Sequence, residues 1–278
     1  MARRLLAVLA IVGVVAGLAA YGLHVLLGRL DLPNAQESRC DLLGTPYSVS
    51  TEQAANAATV TALAVRRKLP ARAPVIALAT ALQESKLINV EYGDRDSVGL
   101  FQQRPSQDWG SAGQILDPRY AAGKFYDRLV KVPRWQRRPL NEVAQAVQQS
   151  AFPEAYAQWE DEAAALAKAF AGTAAAGVSC RFPAPTVVAR PARVAELLGR
   201  DLPVTRVSVS ARAVELRPAA GTGWATACWL VANADRLGID AVGHAGRRWT
   251  RSDGWRDDGG AGADRVRAEV ADISPTGP

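Results

Sequence analysis

Histidine is nearly absent from this chain of 278 residues. The two histidines are His24, inside an apolar run near the N-terminus, and His244, near the C-terminus. Residues 25–243 therefore cannot form a Ser-His-Asp triad or a histidine-rich zinc site. Any acid–base catalysis in the middle of the chain therefore has to use carboxylates. The sequence predicts neither a metal ion nor a cofactor.

The chain also lacks a long segment in which charge of one sign dominates. Its net charge of +6 divides into +3 for residues 1–30, zero for residues 31–180 and +3 for residues 181–278. Nucleic-acid binding usually needs a concentrated basic surface, so no nucleic-acid partner is predicted. With 49% hydrophobic and 22% charged residues, the composition is typical of a globular protein with one large domain or two ordinary ones.

An uncharged run from Leu5 to Gly28 follows Arg3 and Arg4. At about 1.5 Å per residue, it is long enough to cross a hydrocarbon core of roughly 30 Å. A cleaved signal peptide usually has a shorter apolar core, followed by a small-residue site and polar chain. We therefore predict a single-pass signal anchor over residues 1–30 of a bacterial membrane protein, with the N-terminus cytoplasmic and the rest extracytoplasmic. Secretion after signal cleavage is the alternative.

Cysteine is scarce as well, with Cys40, Cys180 and Cys228 only. Disulfides persist in an extracytoplasmic, oxidising compartment. Cys40 and Cys180 lie just outside the two ends of a helix-rich region, so a bridge between them would join the ends of one domain and leave Cys228 unpaired. Three cysteines allow three single pairings, and three buried thiols are the other alternative.

Helix signals divide the chain into regions. Apolar residues recur at helical spacing through residues 51–172, in segments that begin at capping residues or first-turn prolines, which predicts an all-α domain. Residues 31–50 are predicted as a stalk, residues 173–190 as a linker and residues 273–278 as a tail. Residues 191–272 mix helical and β-like segments and predict a small α/β domain. The predicted fold class of the whole chain is mainly α.

The helix VIALATALQES ends with a carboxylate, Glu84, although its other side chains are mostly apolar. Burying an acid without a partner is costly. Desolvation by the neighbouring apolar side chains and the negative end of the helix macrodipole should both raise the pKa of Glu84. Such a carboxyl group is suited to general acid catalysis. The alternative is an ordinary C-terminal helix residue paired with Lys86 or Arg95.

A polar loop leads from Glu84–Ser85 into the segment Gly99–Gln102, which reads GLFQ. Gln102 lies eighteen residues after Glu84. This spacing resembles the soluble lytic transglycosylase and goose-type lysozyme group, whose signature is Glu-Ser, a loop of this length and Gly-Leu-Met-Gln. The resemblance implies a lysozyme-like all-α domain.

Two later segments extend the resemblance, which covers roughly residues 53–172. Residues 117–129 are similar to the family's Asp-Pro…Gly…Tyr-Leu…Leu helix, and AVQQSAFPEAY at 146–156 is similar to its Ala-Tyr-Asn-Ala-Gly-Pro segment. Phe101 replaces the family's usual Met, and Gln148 or Gln149 stands where the family commonly has Asn.

The resemblance implies cleavage of the MurNAc–GlcNAc β-1,4 bond of peptidoglycan glycan strands, with Glu84 as general acid and base. In a lytic transglycosylase the muramoyl C6 hydroxyl attacks intramolecularly, so proximity replaces a second carboxylate. Asp94 and Asp96 are possible auxiliary acids that position a water or hold Arg95, or they belong to a solvated turn. Tyr126 is expected either to hydrogen-bond Glu84 or to pack. The expected substrate contacts are Ser85, Gly99, Leu100, Phe101, Gln102, Tyr126 and Gln148.

A non-catalytic wall-binding or scaffold protein with a lysozyme-like fold is the alternative function. The C-terminal domain is expected to contact the cell wall or a protein partner. A Cys228–His244 hydrolase there is disfavoured, because Cys228 falls in the middle of a predicted helix, away from its electropositive N-terminus. The tryptophans of this domain are expected to be core residues or partly exposed rings of a binding module, and they are Trp224, Trp229, Trp249 and Trp255.

Overall fold

The computed structural model describes residues 38–149, 153–258 and 260–272. The membrane helix predicted for residues 5–28 lies outside the described residues. None of the helices within the described ranges has the length and apolar character needed to span a bilayer.

The predicted fold class, mainly α, is wrong. The described residues are 43% helical and 19% strand, and their strands form one sheet of three and one of six, both antiparallel. The fold is therefore mixed α/β. The smaller sheet escaped prediction because its strands have only three or four residues each and pair across a large distance in sequence.

The three-stranded sheet joins the two ends of the helical region. It contains β1 (Arg39–Leu42), β2 (Ser48–Ser50) and β3 (Val178–Arg181), in the order β2-β1-β3. Strands β1 and β2 thus occupy part of the segment predicted as a stalk. Cys40 lies directly opposite Cys180 in the β1–β3 register, and the two are joined by a disulfide. The predicted bridge is confirmed, and Cys228 is a buried free thiol.

The helical region is built around one central helix. Apolar side chains cover most of its surface, and Ile76, Leu78 and Leu82 are fully buried. The helices are α1 (Thr51–Arg66), α2 (Arg72–Ser85), α3 (Ala112–Ile115), α4 (Pro118–Leu129), α5 (Leu140–Gln148) and α6 (Glu160–Phe170), with 3-10 helices at Pro105–Gln107 and Pro153–Trp159. The central helix is α2, which packs against α1, α4, α5, α6 and the second 3-10 helix.

Sequence signals explain where two of these helices begin. The Ser50 side chain accepts from the backbone N–H of Gln53, whose side chain accepts from the Ser50 N–H, so α1 starts with a reciprocal capping box. The Asp117 side chain caps α4, and Pro118 occupies its first turn.

The C-terminal region is a six-stranded antiparallel sheet with helices packed against it. Its helices are α7 (Pro191–Asp201), α8 (Gly223–Ala232) and α9 (Ala234–Leu237), and its strands are β4 (Val204–Val209), β5 (Ala213–Pro218), β6 (Ile239–His244), β7 (Arg247–Thr250), β8 (Gly254–Asp257) and β9 (Val266–Val270). The strand order is β4-β5-β9-β6-β7-β8. The single helix predicted around Cys228 is divided into α8 and α9 at Asn233.

The four tryptophans of this region divide into two groups. Trp229 and Trp249 are fully buried core residues. Trp224 and Trp255 are half-buried, and their ring centroids lie 5.4 Å apart.

A buried carboxylate connects the helical region to the C-terminal region. Asp201, at the end of α7, is completely buried and accepts hydrogen bonds from Arg119 of α4 and from the Trp229 indole of α8, the latter at 2.8 Å. Burial outweighs these donors and raises the pKa of Asp201. This network is not apparent from the sequence, since its members are far apart along the chain.

Candidate active site

The end of α2 fixes the position of Glu84. Lys86 has left-handed backbone angles, φ 58° and ψ 33°, which reverse the chain just after the helix. The Lys86 N–H donates to the Leu82 carbonyl at 3.0 Å, and the Leu87 N–H donates to the Ala81 carbonyl at 3.1 Å. These bonds satisfy carbonyls that the helix would otherwise leave free, and they stabilise the last turn, on which Glu84 lies.

Glu84 is a half-buried acid with polar neighbours. The Tyr156 hydroxyl donates a hydrogen bond of 2.6 Å to its Oε1 atom. Burial raises the pKa of Glu84, while the hydrogen bonds from Tyr156 and Gln148 and the charge of Arg104 lower it to a smaller extent. The predicted direction of the pKa shift is therefore confirmed, with burial as its largest cause.

Lys86 and Arg95, the two cations that could form an ordinary ion pair with Glu84, have other partners. The Lys86 Nζ atom lies 4.0 Å from the centre of the Trp159 ring, where cation–π attraction holds it. The Arg95 Nε atom is 4.0 Å from an oxygen of Asp94. Neither cation neutralises Glu84, which leaves its carboxyl group available to exchange a proton.

Gly99 is required by the packing of the GLFQ segment. Its φ is +78°, and a Cβ atom at this position would lie 2.9 Å from the Ile115 carbonyl oxygen. Its N–H donates to the Val90 carbonyl at 2.7 Å. A larger residue would displace the segment from α3, so the first position of the motif has a steric explanation here.

Leu100 and Phe101 bring the GLFQ backbone to the end of α2. Both side chains are fully buried, and the Phe101 ring stacks on Phe125 with centroids 4.8 Å apart. The Ser85 hydroxyl donates to the Leu100 carbonyl at 2.8 Å. The Phe101 carbonyl accepts from Gln148 Nε2 at 2.6 Å. Leu100 and Phe101 therefore support the site from the core side.

Gln102 folds back onto its own loop. Its backbone is left-handed, with φ 46°. Its side-chain amide lies 3.3 Å from both the Tyr92 and the Gly99 carbonyl oxygens. The amide thus closes the loop that follows Glu84.

Gln148 is the glutamine that reaches the acid, whereas Gln149 is exposed at the end of α5. The Phe101 carbonyl and the Glu84 carboxylate can only accept hydrogen bonds, so the nitrogen of the Gln148 amide has to face both of them. Its Oε1 atom is buried and has no hydrogen-bond partner within the described ranges.

Of the two roles expected for Tyr126, the structure shows packing. Tyr126 is fully buried, and its single phenolic proton is donated to the Val60 carbonyl at 2.9 Å, so it packs and does not bind Glu84. Tyr156 makes that contact instead. This contact of Tyr156 was not predictable from the sequence, because the residue lies in a 3-10 helix without a regular apolar pattern and reaches Glu84 only through the packing of that helix on α2.

Asp94 and Asp96 hold their own loop together. Asp94 accepts from Arg104 Nη2 at 2.8 Å, and Asp96 accepts from the Ser106 N–H at 2.8 Å and the Ser106 hydroxyl at 3.0 Å. The Ser106 hydrogen bonds keep the pKa of Asp96 below its ordinary value. No hydrogen bond joins either acid to Glu84 in the part of the chain that is described.

Cys228 of the C-terminal region is not activated as a nucleophile. Cys228 is buried in α8, and burial raises the pKa of its thiol to about 11, which opposes thiolate formation. Across residues 38–149, 153–258 and 260–272, no group of three His, Cys, Asp or Glu side chains is arranged to bind a metal ion.

Comparison with protein-family models and with curated proteins finds no match to this chain. The resemblance to the lytic transglycosylase and goose-type lysozyme group therefore stays a prediction from the motifs.

Proposed function

We propose that this protein is a peptidoglycan-cleaving enzyme that acts on the MurNAc–GlcNAc β-1,4 glycosidic bond, with Glu84 as general acid and base. The observation that carries the proposal is the environment of the Glu84 carboxyl group. It is a half-buried carboxyl group with a raised pKa, and it accepts hydrogen bonds from Tyr156 and Gln148. Among the described residues it has no ion-pair partner. It also lies beside the GLFQ segment at the spacing of the proposed family.

Glu84 supplies a proton in the first step. Because burial raises its pKa, a larger fraction of the carboxyl group is protonated near neutral pH than for an exposed glutamate. The proton passes to the glycosidic oxygen, the bond from this oxygen to C1 of MurNAc breaks, and positive charge develops at C1. Glu84 is then a carboxylate.

Glu84 recovers its proton in the second step. The C6 hydroxyl of the same MurNAc attacks C1, its proton moves to the Glu84 carboxylate, and a 1,6-anhydro product forms without water. The intramolecular attack needs no second carboxylate. The hydrogen bonds of Asp94 and Asp96 within their own loop support this route over hydrolysis, in which one of them would activate a water.

An extracytoplasmic location belongs to the same proposal. The Cys40–Cys180 disulfide suits an oxidising compartment. Residues 5–28 are proposed as the membrane anchor, which would keep the enzyme close to the cell wall.

Digestion of purified peptidoglycan by the full-length protein in ¹⁸O-labelled water tests the reaction type. We expect 1,6-anhydromuramoyl ends without ¹⁸O by mass spectrometry, and less than about tenfold loss of rate in Asp94→Asn and Asp96→Asn. Ends that carry ¹⁸O, together with a large loss in either variant, would instead indicate hydrolysis. Intact binding without cleavage would favour the wall-binding scaffold.

A further inference from the structure

Strand β4 forms an exposed edge of the six-stranded sheet. It is the first strand in the order β4-β5-β9-β6-β7-β8, and none of the described strands pairs with its outer side. Residues 205–209 are all exposed, including Val207 at 41% and Val209 at 51%. Folded proteins usually protect such an edge with several charges, a proline or a covering element. Because Arg206 is the only charged residue of β4, this edge lacks most of that protection.

The two exposed valines lie on the apolar face of the sheet. In the β4–β5 register, Val207 is opposite Leu216 and Val209 is opposite Val214. Both β5 residues are fully buried, and α7 and α8 pack against that strand. Residues directly opposite each other in neighbouring strands point to the same face. Val207 and Val209 therefore extend the apolar face past the part that the helices bury, and a further strand would continue it.

The backbone of β4 also directs hydrogen-bonding groups outward. The Ser210 N–H donates to the Ala213 carbonyl at 2.9 Å, which makes these two residues a hydrogen-bonded pair at the end of the β4–β5 hairpin. Hydrogen-bonded and non-hydrogen-bonded pairs alternate along an antiparallel ladder. Val209 and Val207 therefore occupy non-hydrogen-bonded positions toward β5. Their N–H and C=O groups point away from β5, toward the free edge.

We propose that β4 pairs antiparallel with β4 of a second copy of this chain, about a two-fold axis at Val207. The two six-stranded sheets would then form one continuous sheet. In this register Val207 exchanges two hydrogen bonds with Val207 of the second copy, and Val209 lies opposite Thr205. The meeting of β-branched side chains on one face stabilises such a pairing. This inference goes beyond the proposed function and does not depend on it.

Charge complementarity favours a second copy as the occupant of this edge. Arg206 is exposed, lies opposite Arg217 of β5, and forms no ion pair with another described residue. In the proposed register Arg206 lies opposite the short side chain of Ser208 of the second copy, and Ser208 is opposite Glu215 in β5. Two strand spacings, about 10 Å, separate the Cα atoms of Arg206 and that Glu215, and their side chains together span this distance. The two-fold axis forms the ion pair twice.

Disulfide cross-linking of the full-length protein in detergent tests the pairing. Cys228→Ala removes the free thiol, and Val207→Cys then introduces a thiol on the two-fold axis. The Cα atoms of a hydrogen-bonded antiparallel pair are about 5.5 Å apart, which a disulfide can bridge. Val187→Cys in the same background is the matched control, because Val187 is 62% exposed and lies outside the sheet.

We expect mild oxidation to convert the Val207→Cys protein into a covalent dimer at least about tenfold faster than the Val187→Cys protein. A mixture of Arg206→Cys and Ser208→Cys proteins, also without Cys228, should cross-link faster than either protein alone, because these positions face each other in the proposed register. Equal rates at positions 187 and 207, or no gain in the mixture, would overturn the proposal.

Sedimentation without added cysteines tests the charge pair. The paired edges form a small interface, so we expect weak association over a concentration series up to about 100 μM. Arg206→Glu places a carboxylate toward Glu215 of the second copy and should weaken association at least about tenfold. The substitution also removes the like-charge contact with Arg217, so the monomer should still fold.

Arg181→Glu is the matched control for this measurement. Arg181 is exposed, lies in the smaller sheet, and forms no ion pair within the described part of the chain, so its replacement changes the net charge equally. We expect this variant to associate as the wild type does. Equal association of the two variants would contradict the proposed pairing. A wild-type protein that stays monomeric throughout the series would also overturn it and would assign the edge to another occupant.

Discussion

At the residue scale, the pKa of Glu84 depends on a balance between burial and hydrogen bonding. Burial raises its pKa, and the donors Tyr156 and Gln148 limit the rise. A general acid needs this balance, because it has to hold a proton near the working pH and still release it. Tyr156 also fixes the direction of the Oε1 atom.

Replacement of Tyr156 by Phe should move the pH dependence of cleavage upward. The phenol stabilises the Glu84 carboxylate, so its removal raises the pKa of Glu84 further. The alkaline limb of kcat/KM reports the loss of the proton from the free acid, and it should shift to higher pH, with kcat reduced by up to about tenfold. Tyr126→Phe is the matched control, because that hydroxyl donates to Val60 and its loss should leave the alkaline limb in place. The same limb in wild type and Tyr156→Phe would contradict the role assigned to this phenol.

The buried carboxyl group of Glu84 was predictable from the sequence, and its hydrogen-bond partner Tyr156 was not. Glu84 was identifiable because a carboxylate at the end of an apolar helix contradicts the local pattern. Tyr156 was not, since it is 72 positions from Glu84 and no local pattern distinguishes it from the other tyrosines. Side-chain contacts of this range depend on how helices pack.

At the element scale, the long amphipathic or apolar segments were predictable and the short strands were not. Residues 72–85 form a buried helix because their own apolar residues require it, and the segment VTRVSV forms β4, as its β-branched residues indicate. The strand RCDL has no such pattern. It is a strand because β3 lies beside it, 140 residues later, which local sequence cannot show.

Replacement of Asp201 by Asn should weaken the junction between α4, α7 and α8. Asp201 is completely buried, and the change leaves the Arg119 charge without its counter-ion and weakens the acceptor for Trp229. We expect a loss of about 3 kcal/mol in the free energy of unfolding, measured in urea. Asp235→Asn is the control, since Asp235 is half-exposed and its partner Arg251 keeps three backbone acceptors. A loss below about 1 kcal/mol in Asp201→Asn would contradict a structural role for this pair.

At the scale of the whole molecule, one disulfide encloses the whole helical region α1–α6 in a covalent loop. Cys40 and Cys180 are 140 positions apart, and their strands lie side by side at the edge of the α1–α6 bundle. The placement of the two cysteines around the helix-rich region was enough to predict the pairing. The mixed α/β class was not predictable in the same way. It depends on the pairing of six strands into one sheet, and no single segment of sequence shows that pairing.

Reduction of this disulfide should lower the melting temperature substantially. In the chain-entropy model a loop of this length contributes about 5 kcal/mol, which corresponds to a shift of roughly 10–20 °C for a protein of this size. A reductant should produce this shift in the wild type and in Cys228→Ala, and it should have no effect in the Cys40→Ser, Cys180→Ser double variant. Unchanged melting of the wild type on complete reduction would show that the bridge does not stabilise the fold.

The central claim is that Glu84 provides the proton for glycosidic cleavage, and the rate of muropeptide release by three full-length proteins tests it most directly. Glu84→Gln keeps the size and hydrogen-bonding capacity of the side chain but removes the transferable proton, so we expect release to fall by about 10³–10⁴-fold while binding to peptidoglycan persists. Glu162→Gln, at a second carboxyl group whose pKa is raised by burial, should release muropeptides at the wild-type rate. Equal release by wild type and Glu84→Gln would contradict the assignment of the catalytic acid.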